Sequence, residues 1–357
     1  MQELVSNFQL PHPIERIEPF GGGHINDTYR IQDKAGGDFL LQRINHHVFP
    51  DVAGLMSNFT QVTDHIRQRI AKASAPANEQ TTLTIVPARN HKSYYRAADG
   101  NYWRILEFLS DLHAYDLVET PRQAYEGARS YGYFLRFLDD FPADRLTEVI
   151  PGFHDLDLRL KQFSAALANP VGERQRKCQD AIKDVQRLAD SLLVIDRLHK
   201  NGRIRRRVTH NDTKFNNVML TSDDRGKCVI DLDTVMPGIV HFDFGDGVRT
   251  GVGTADEDEA DLNLVTIDME KFRGFASGYL EVTREVLSDI EVEYLGLSGA
   301  YMAYIMGVRF LTDYLSGDVY YKVAGPEHNL LRARNQLRLT KEFMGRLSEM
   351  DAIVAGV

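Results

Sequence analysis

Cysteine and long apolar runs are scarce in this chain of 357 residues. Its two cysteines, Cys178 and Cys228, are too few for a disulfide framework and do not form the close pair that a zinc site uses. The longest uncharged, apolar-rich run, Tyr294 to Val308, is too short to span a bilayer and predicts a buried helix. The N-terminus lacks the basic start and apolar core of a signal peptide. We therefore expect a cytoplasmic protein that makes no membrane contact.

Long runs of like charge are absent as well, and the net charge is −9. This balance argues against nucleic acid as the main partner. The composition, 43% hydrophobic and 26% charged, is that of an ordinary globular protein and suffices for two packed lobes. The chain contains no repeat and no low-complexity linker, and nothing in it indicates an obligate protein partner.

Segments typical of strands come first in the chain, and segments typical of helices follow. Alternation and turn residues predict strands at 14–20, 28–32, 39–44, 82–87 and 102–108, with a helix at 55–71. After Thr120, helical spacing dominates, apart from short strands expected near 207–208 and 227–232. The order predicts an α+β, bilobal, protein-kinase-like fold. Its small antiparallel-sheet lobe, 1–108, would bind nucleotide, and its larger, mainly helical lobe, 109–357, would carry catalysis and substrate binding.

The most informative stretch runs from His210 to Asn217 and fits the kinase catalytic-loop pattern H-x-D-x-x-x-x-N. Phosphoryl transfer needs a carboxylate that accepts the proton of the attacking hydroxyl, and Asp212 is the predicted base. Lys214 is expected to face the transferred phosphate, with a surface lysine as the alternative. Asp231 lies where kinases place a metal-binding aspartate, so Asn217 and Asp231 are the predicted Mg²⁺ ligands. Asp233 has two open interpretations, a metal-related role and a loop cap.

The expected nucleotide site lies in the first lobe. Gly21, Gly22 and Gly23 separate the first two predicted strands, and glycine backbone N–H groups can approach phosphate oxygens closely. A plain hairpin turn is the alternative. At the end of the fifth strand, the backbone from Glu107 to Leu109 is expected to hydrogen-bond the adenine of ATP, with an ordinary strand end as the alternative.

The lysine that kinases carry on the third strand, and its glutamate partner on the next helix, are both missing. The lysine's place falls on Gln42, with Arg43 beside it, and the helix that follows contains no glutamate. Either Arg43 or another basic group binds the phosphates, or the backbone and Mg²⁺ carry more of that task. The absence also supports a rival interpretation, a non-catalytic regulator that binds nucleotide.

The catalytic loop and the segment from Ile230 to Gly238 resemble the aminoglycoside phosphotransferase and choline kinase superfamily. Within it, longer strings resemble the bacterial N-acetylhexosamine 1-kinase family more closely. These strings are Gly23 to Asn26 with Thr28-Tyr29, Phe49 to Asp51, Val208 to Asn217, Phe242 to Asp246, Arg309 to Leu311 with Asp313 to Leu315, and Pro326 to Leu330. The resemblance implies ATP- and Mg²⁺-dependent phosphorylation of the anomeric hydroxyl of N-acetylglucosamine or N-acetylgalactosamine, which gives the sugar 1-phosphate.

The same resemblance implies a hexosamine site. Arg309 and Tyr320 are expected to contact the sugar, together with Asp313 and with His24 near the phosphate loop. An ion pair between Arg309 and Asp313, one helical turn apart, is the alternative for those two residues. The superfamily also places an aspartate near Asp243 that supports the catalytic loop.

Other acceptors stay open, because substrate pockets vary more than catalytic loops: an aminoglycoside, choline, homoserine or another sugar. A polycationic aminoglycoside would need a dense acidic surface. The acidic residues at 256–261 are interpreted instead as a solvated helix start.

Overall fold

The computed structural model describes residues 1–21 and 25–357, and its chain forms two compact units. Unit 1 contains Met1–Ala114, Phe137–Pro151 and Val218–Pro237; unit 2 contains Tyr115–Arg136, Gly152–Asn217 and Gly238–Val357. Two later segments of the chain therefore belong to the unit that contains the N-terminus. The lobe boundary expected between residues 108 and 109 stays a prediction.

Unit 1 is built on an antiparallel sheet with the order β1-β2-β3-β6-β4, in which β5 also pairs with β6. Its elements before residue 114 are α1 (Gln2–Val5), β1 (Ile14–Pro19), β2 (Asp27–Asp33), β3 (Asp38–Ile44), α2 (Val52–Lys72), β4 (Ile85–Val86), β5 (Tyr95–Arg96) and β6 (Tyr102–Glu107). Alternating side chains of the central strands, Ile31, Leu41 and Ile105, form the core with Phe8 and Trp103.

Helix α2 begins at Asp51, whose carboxylate accepts a hydrogen bond from the N–H of Gly54 at 2.8 Å. Its helically spaced residues Leu55, Phe59, Val62 and Ile66 are buried. The late segments of unit 1 contribute the hairpin β8 (Val218–Leu220) and β9 (Gly226–Val229). Two predicted strands are shorter in the structure. The segment at 82–87 keeps only β4, and the one at 227–232 ends at Val229, before the backbone turns at Asp231.

Unit 2 is mainly helical. Its helices are α3 (Pro121–Phe137), α4 (Leu156–Ala168), α5 (Arg174–Lys177), α6 (Gln179–Leu192), α7 (Val194–Lys200), α8 (Val240–Val252), α9 (Met269–Thr283), α10 (Asp289–Glu293), α11 (Leu295–Ser316), α12 (His328–Gly345) and α13 (Leu347–Ala355). In the sequence, the short strand β7 (Arg207–Thr209) precedes the catalytic loop, and the short strand β10 (Met236–Gly238) precedes α8.

Helix α11 is the centre of unit 2 and packs against α12, α8 and α4. It is apolar nearly all round, as a fully buried helix should be. Small residues let its neighbours approach closely: a side chain at Gly245 of α8 would collide with the backbone of Ser298 in α11. None of the helices in the described part of the chain has the length and apolar character needed to cross a membrane.

One expectation about a helix was wrong. The acidic residues at 256–261 lie in the loop between α8 and α9, so they do not begin a helix.

Candidate active site

The catalytic loop is held by the first turns of α8. Both carboxylate oxygens of Asp243 accept loop N–H groups, those of His210 and Asn211, at 2.8 Å each. Asp246, one turn later, accepts the N–H of Thr213 at 3.1 Å. Burial raises the pKa of Asp243 to about 6, although His210 and the two N–H groups lower it. The interpretation of Asp243 as support for the loop agrees with this geometry.

Asp212, Lys214 and Asn217 lie together in unit 2. The ammonium of Lys214 is 3.0 Å from Oδ2 of Asp212. The amide nitrogen of Asn217 donates to the carbonyl of Asp212 at 2.9 Å and to Oδ2 at 3.3 Å. Among the described residues, nothing bonds Oδ1 of Asp212 or the amide oxygen of Asn217. Those two oxygens are the atoms that a base and a metal ligand would use.

Asp231 lies in unit 1, two residues after the end of strand β9. It is exposed and has left-handed backbone angles, φ 58° and ψ 55°, at the start of a short 3₁₀ turn. Such a conformation is uncommon outside glycine and is found often at functional positions. The carboxylate of Asp231 and the amide oxygen of Asn217 are hard oxygen donors, which fit Mg²⁺. Their roles as metal ligands stay predictions.

Asp233 has both carboxylate oxygens occupied. Oδ1 forms an ion pair with Arg104 of β6, and Oδ2 accepts the amide nitrogen of Asn26 at 2.6 Å. Arg104 also donates from Nε to Oε1 of Gln42 at 2.9 Å. The structure thus favours an anchoring role for Asp233 over direct metal binding. The side chain of Gln42, at the third-strand position, is therefore directed towards the buried Arg104.

The other expected nucleotide-binding residues are placed as follows. Arg43 neighbours Gln42 on β3, and its Nε donates to Oδ2 of Asp27 at 2.7 Å. Gly21 follows β1 with a φ of 72°, the left-handed conformation that glycine adopts freely. Gly22, Gly23 and His24 lie outside the described residues. The phosphate-binding roles of these residues stay predictions, and the guanidinium of Arg43 already has a carboxylate partner.

The segment expected to bind adenine follows β6. The N–H of Glu107 donates to the carbonyl of Thr84 at 2.9 Å, and that of Phe108 to the carbonyl of Asp38 at 3.1 Å. The N–H of Leu109 has no partner within the described chain. This arrangement leaves the Leu109 N–H for a ligand, and its contact with adenine stays a prediction.

Arg309 is surrounded by aromatic rings of unit 2. Its guanidinium carbon lies 5.0 Å from the centre of the Phe153 ring, 5.9 Å from Tyr320 and 5.6 Å from Tyr321. Arg159 lies nearby, and burial together with the charge of Arg309 lowers the pKa of its guanidinium. Within the described residues, neither arginine forms an ion pair with a carboxylate. We call these five residues the arginine–aromatic wall.

Asp313 serves the loop that carries Tyr320. Its carboxylate accepts the N–H groups of Val319, Tyr320 and Tyr321 at 2.9, 2.8 and 3.0 Å. The structure shows no ion pair between Asp313 and Arg309 among the residues it describes. Asp313 therefore sets the position of Tyr320, and direct contact with a sugar stays a prediction.

Phe153 and His154 connect this wall with the catalytic loop. The ring of Phe153 faces Arg309, and Nε2 of the next residue, His154, is 3.0 Å from the carbonyl oxygen of Asn211. Burial lowers the pKa of His154 to about 4, so the ring is neutral near pH 7. Asn211 directly precedes Asp212. The wall and the predicted base are therefore joined by two neighbouring side chains.

Sequence reasoning missed Phe153, His154 and Arg104, and it named Asn26 only as part of a longer string, without its contact to Asp233. Only Arg104 had a local signal, because a charged residue in the middle of the apolar strand Tyr102–Glu107 calls for a buried partner. The other three follow from contacts between residues that are distant in the chain.

Comparison with known proteins gives a consistent result. A model of the phosphotransferase enzyme family matches residues 16–275. An aminoglycoside phosphotransferase from Alicyclobacillus acidocaldarius is 13% identical, with a TM-score of 0.62 over 100% of this chain and 97% of that one. A microcompartment-associated aminopropanol kinase is 15% identical, with a TM-score of 0.63 over 98% and 97%. A choline kinase from Cryptosporidium parvum is 15% identical, with a TM-score of 0.53 over 93% and 90%. These likenesses confirm the predicted α+β, protein-kinase-like fold.

Proposed function

Since the chain belongs to the phosphotransferase enzyme family, we propose that it transfers the γ-phosphoryl group of ATP to the anomeric hydroxyl of an N-acetylhexosamine. The family match confirms the prediction of a phosphotransferase with an alcohol-type acceptor. The proposal adds the donor ATP, the ion Mg²⁺ and the acceptor sugar, either N-acetylglucosamine or N-acetylgalactosamine. The product would be the sugar 1-phosphate.

The observation that carries the proposal is the link through Phe153 and His154. It joins the arginine–aromatic wall to the residue before Asp212 by the contacts given above. An acceptor bound against the wall would therefore lie on the side of unit 2 that carries the base. Aromatic rings that stack on a sugar face and a guanidinium that donates to its oxygens suit a hexosamine.

Each catalytic residue has a defined task in this proposal. Oδ1 of Asp212 accepts the proton of the anomeric hydroxyl, which is more acidic than an ordinary alcohol. Lys214, 3.0 Å from Oδ2, supplies positive charge beside the transferred phosphoryl group. Asn217 and Asp231 would hold Mg²⁺, which neutralises charge on the phosphate oxygens. Gly21 to Gly23 would cover the phosphates, His24 would lie near them, and Leu109 would contact adenine.

The charge of the wall supports a neutral acceptor over a cationic one. Arg159 and Arg309 bring two positive charges, and neither has a carboxylate partner in the described chain. An aminoglycoside or choline would be repelled there. The acidic loop at 256–261 is partly engaged elsewhere, since Glu257 pairs with Arg249 at 3.1 Å.

Acceptor specificity is tested by ADP release from ATP and Mg²⁺ with N-acetylglucosamine, N-acetylgalactosamine, glucose, galactose, choline and kanamycin. Phosphorus NMR of the product identifies the phosphorylated oxygen. We expect turnover with the two N-acetylhexosamines and a signal from an anomeric phosphate. Turnover confined to choline or kanamycin would overturn the sugar proposal and leave the family assignment intact.

The base is tested by Asp212→Asn, which keeps the shape of the side chain and removes its ability to accept a proton. We expect kcat to fall by about 10³-fold, while ATP binding and the melting temperature stay near those of the unmodified protein. The matched control is Asp223→Asn, an exposed carboxylate in the turn between β8 and β9, which should change none of these. Full activity in Asp212→Asn would refute the mechanism.

A further inference from the structure

The third strand carries Gln42 where kinases have a lysine, and the described part of unit 1 contains a different buried ion pair, Arg104 with Asp233. We propose that Arg104 and Asp233 stand in for the missing pair as positioning residues, and that they hold Asp231 in place for the nucleotide-bound metal ion. The inference rests on the proposed function for the presence of Mg²⁺ and nucleotide. It adds two residues that touch neither reacting atoms nor substrate.

The pair is deeply buried, and its charges need a physical reason. The side chains of Arg104 and Asp233 are 2% and 3% exposed. The guanidinium carbon of Arg104 lies 5.0 Å from the centre of the Phe59 ring, and its Nη1 is 3.8 Å from the sulfur of Met56. Removing two charges from water costs free energy that pairing only partly returns, and apolar residues often stabilise such a position equally well. Burial alone does not assign a task to these charges, so their other partners, Gln42 and Asn26, carry the argument.

Gln42, at the third-strand position, contacts this pair directly. In the sheet register, Gln42 of β3 is opposite Arg104 of β6 and also opposite Thr28 of β2. Hydrogen bonds run along this row, from Gln42 Nε2 to Thr28 Oγ1 at 3.2 Å and from Arg104 Nε to Gln42 Oε1 at 2.9 Å. Gln42, which stands in the place of the lysine, thus orients Arg104 on the adjacent strand. The positive charge then lies on the buried guanidinium of Arg104, beside Asp233.

Asn26, which follows the glycine-rich segment in the chain, also bonds the carboxylate of Asp233. Its amide nitrogen donates to Oδ2 of Asp233 at 2.6 Å, and its amide oxygen accepts the N–H of Asn45 at 3.0 Å. Asn26 follows Gly21 to Ile25 directly in the chain. Asp233 therefore joins the end of the predicted phosphate loop to the segment that carries Asp231.

The residues after Asp233 are held as well. The amide nitrogen of Asn58, in α2, donates to the carbonyl of Val235 at 2.9 Å. With Asp233 bonded through both oxygens and Val235 through its carbonyl, the short turn after Asp231 has little freedom. The backbone of Asp231, in its left-handed conformation, thereby begins a turn that is held before any metal ion arrives, which lowers the entropic cost of binding.

The test measures how strongly Mg²⁺ and nucleotide binding depend on each other. ADP is titrated into the full-length protein by calorimetry, with Mg²⁺ and with a chelator, and the ratio of the two Kd values gives the coupling. The main variant, Arg104→Gln with Asp233→Asn, replaces the charges by neutral hydrogen-bonding groups of similar shape. We expect the coupling to fall at least tenfold, while the Kd for ADP without metal changes less than threefold.

A second variant keeps the experiment decisive if the double variant does not fold. Asn26→Ala removes the bond to Oδ2 of Asp233 and leaves the ion pair in place, so we expect a threefold to fivefold loss of coupling. The control is Glu291→Gln, which removes one charge from an equally buried pair in unit 2 and should leave the coupling unchanged. A merely structural role for Arg104 and Asp233 would lower the melting temperature and leave the coupling at its original value.

The outcomes separate this inference from the proposed function. Unchanged coupling in the folded double variant or in Asn26→Ala would overturn the inference, whatever the acceptor proves to be. Reduced coupling would support it even if no N-acetylhexosamine were phosphorylated. An unmodified protein whose ADP affinity does not respond to Mg²⁺ would overturn the inference, whereas the proposed function is decided by the acceptor test.

Discussion

Two buried arginine–carboxylate pairs, one in each unit, have the same chemistry and different surroundings. In unit 1, Arg104 and Asp233 contact Gln42 and Asn26, side chains beside the expected nucleotide site. In unit 2, Arg207 meets Glu291 through two hydrogen bonds of 2.9 and 2.8 Å, and both side chains are almost fully buried. The comparison shows that burial of an ion pair does not reveal its task, whereas the identity of its other partners does.

Both residues of the unit 2 pair, Arg207 and Glu291, lie at the beginning of a secondary-structure element. Glu291 lies in the first turn of α10 and completes a capping box with Ser288, whose N–H it accepts at 2.9 Å. Arg207, at the start of β7, also donates to the carbonyl of Val286 at 2.6 Å. Burial alone would raise the pKa of Glu291, but Arg207 and Ser288 lower it overall. This pair therefore serves stability.

The largest expected effect comes from breaking the unit 2 pair. Glu291→Gln removes the counter-charge that Glu291 supplies to the buried guanidinium of Arg207, so we expect the free energy of unfolding to fall by about 3 kcal/mol. Chemical denaturation monitored by circular dichroism measures it, and the same protein should bind ADP and Mg²⁺ normally. A drop in metal–nucleotide coupling in this variant would remove the distinction between the two pairs.

The next effect concerns pH and His241, which neighbours the unit 2 pair. Burial lowers the pKa of His241 from 6.5 to about 4, and its Nε2 lies 3.1 Å from the carbonyl of Glu291. The unfolded chain therefore binds this proton more readily, and the stability that His241 contributes is full above pH 6.5 and lost as the pH falls towards 4. The full loss corresponds to about 3 kcal/mol.

His241→Gln tests this dependence. The difference in unfolding free energy between the unmodified protein and the variant, measured from pH 7.5 to 4, should shift in favour of the variant as the solution becomes more acidic. Asp243 and Asp196, whose pKa values burial raises to about 6, act in the opposite direction but are present in both proteins. A difference that is constant with pH would show that His241 titrates normally.

Replacing both partners of each buried pair by apolar residues tests whether the two pairs differ in function. Arg207→Met with Glu291→Leu removes two buried charges together, so we expect the free energy of unfolding to change by only about 1 kcal/mol in either direction. Arg104→Met with Asp233→Leu should be tolerated similarly. Only the second protein should lose metal–nucleotide coupling, as calorimetry would detect. Equal loss in both would mean that the coupling depends on general rigidity.

The smallest effect is expected from an exposed pair. Arg176 and Glu173 lie 3.0 Å apart with side chains that are 79% and 72% exposed. Solvent screens such a pair almost completely. Arg176→Ala should leave the melting temperature and ADP binding unchanged, and a clear destabilisation would show that exposure is a poor guide to the value of ion pairs in this protein.

Local patterns were enough to predict much of the chain. The loop from His210 to Asn217 fits a kinase, and the family match bears out the phosphotransferase activity. Strands β1, β2, β3 and β6 and helix α2 were also predicted close to their observed bounds. These features depend on the spacing of residues along the chain, and alternation, helical periodicity and capping residues make that spacing visible in the sequence.

The residue types available for phosphoryl transfer, and the order in which sheet and helices follow, can be read from the amino-acid sequence. Which of these residues come into contact depends on the folded chain. Arg104 reaches Asp233, and His154 reaches Asn211, only because the fold brings distant segments together. Such contacts depend on strand register, helix packing and the burial of charge, and none of these leaves a periodic signal near either partner. For this reason the missing lysine was visible in the sequence, whereas the arginine proposed to take its place was found only in the folded chain.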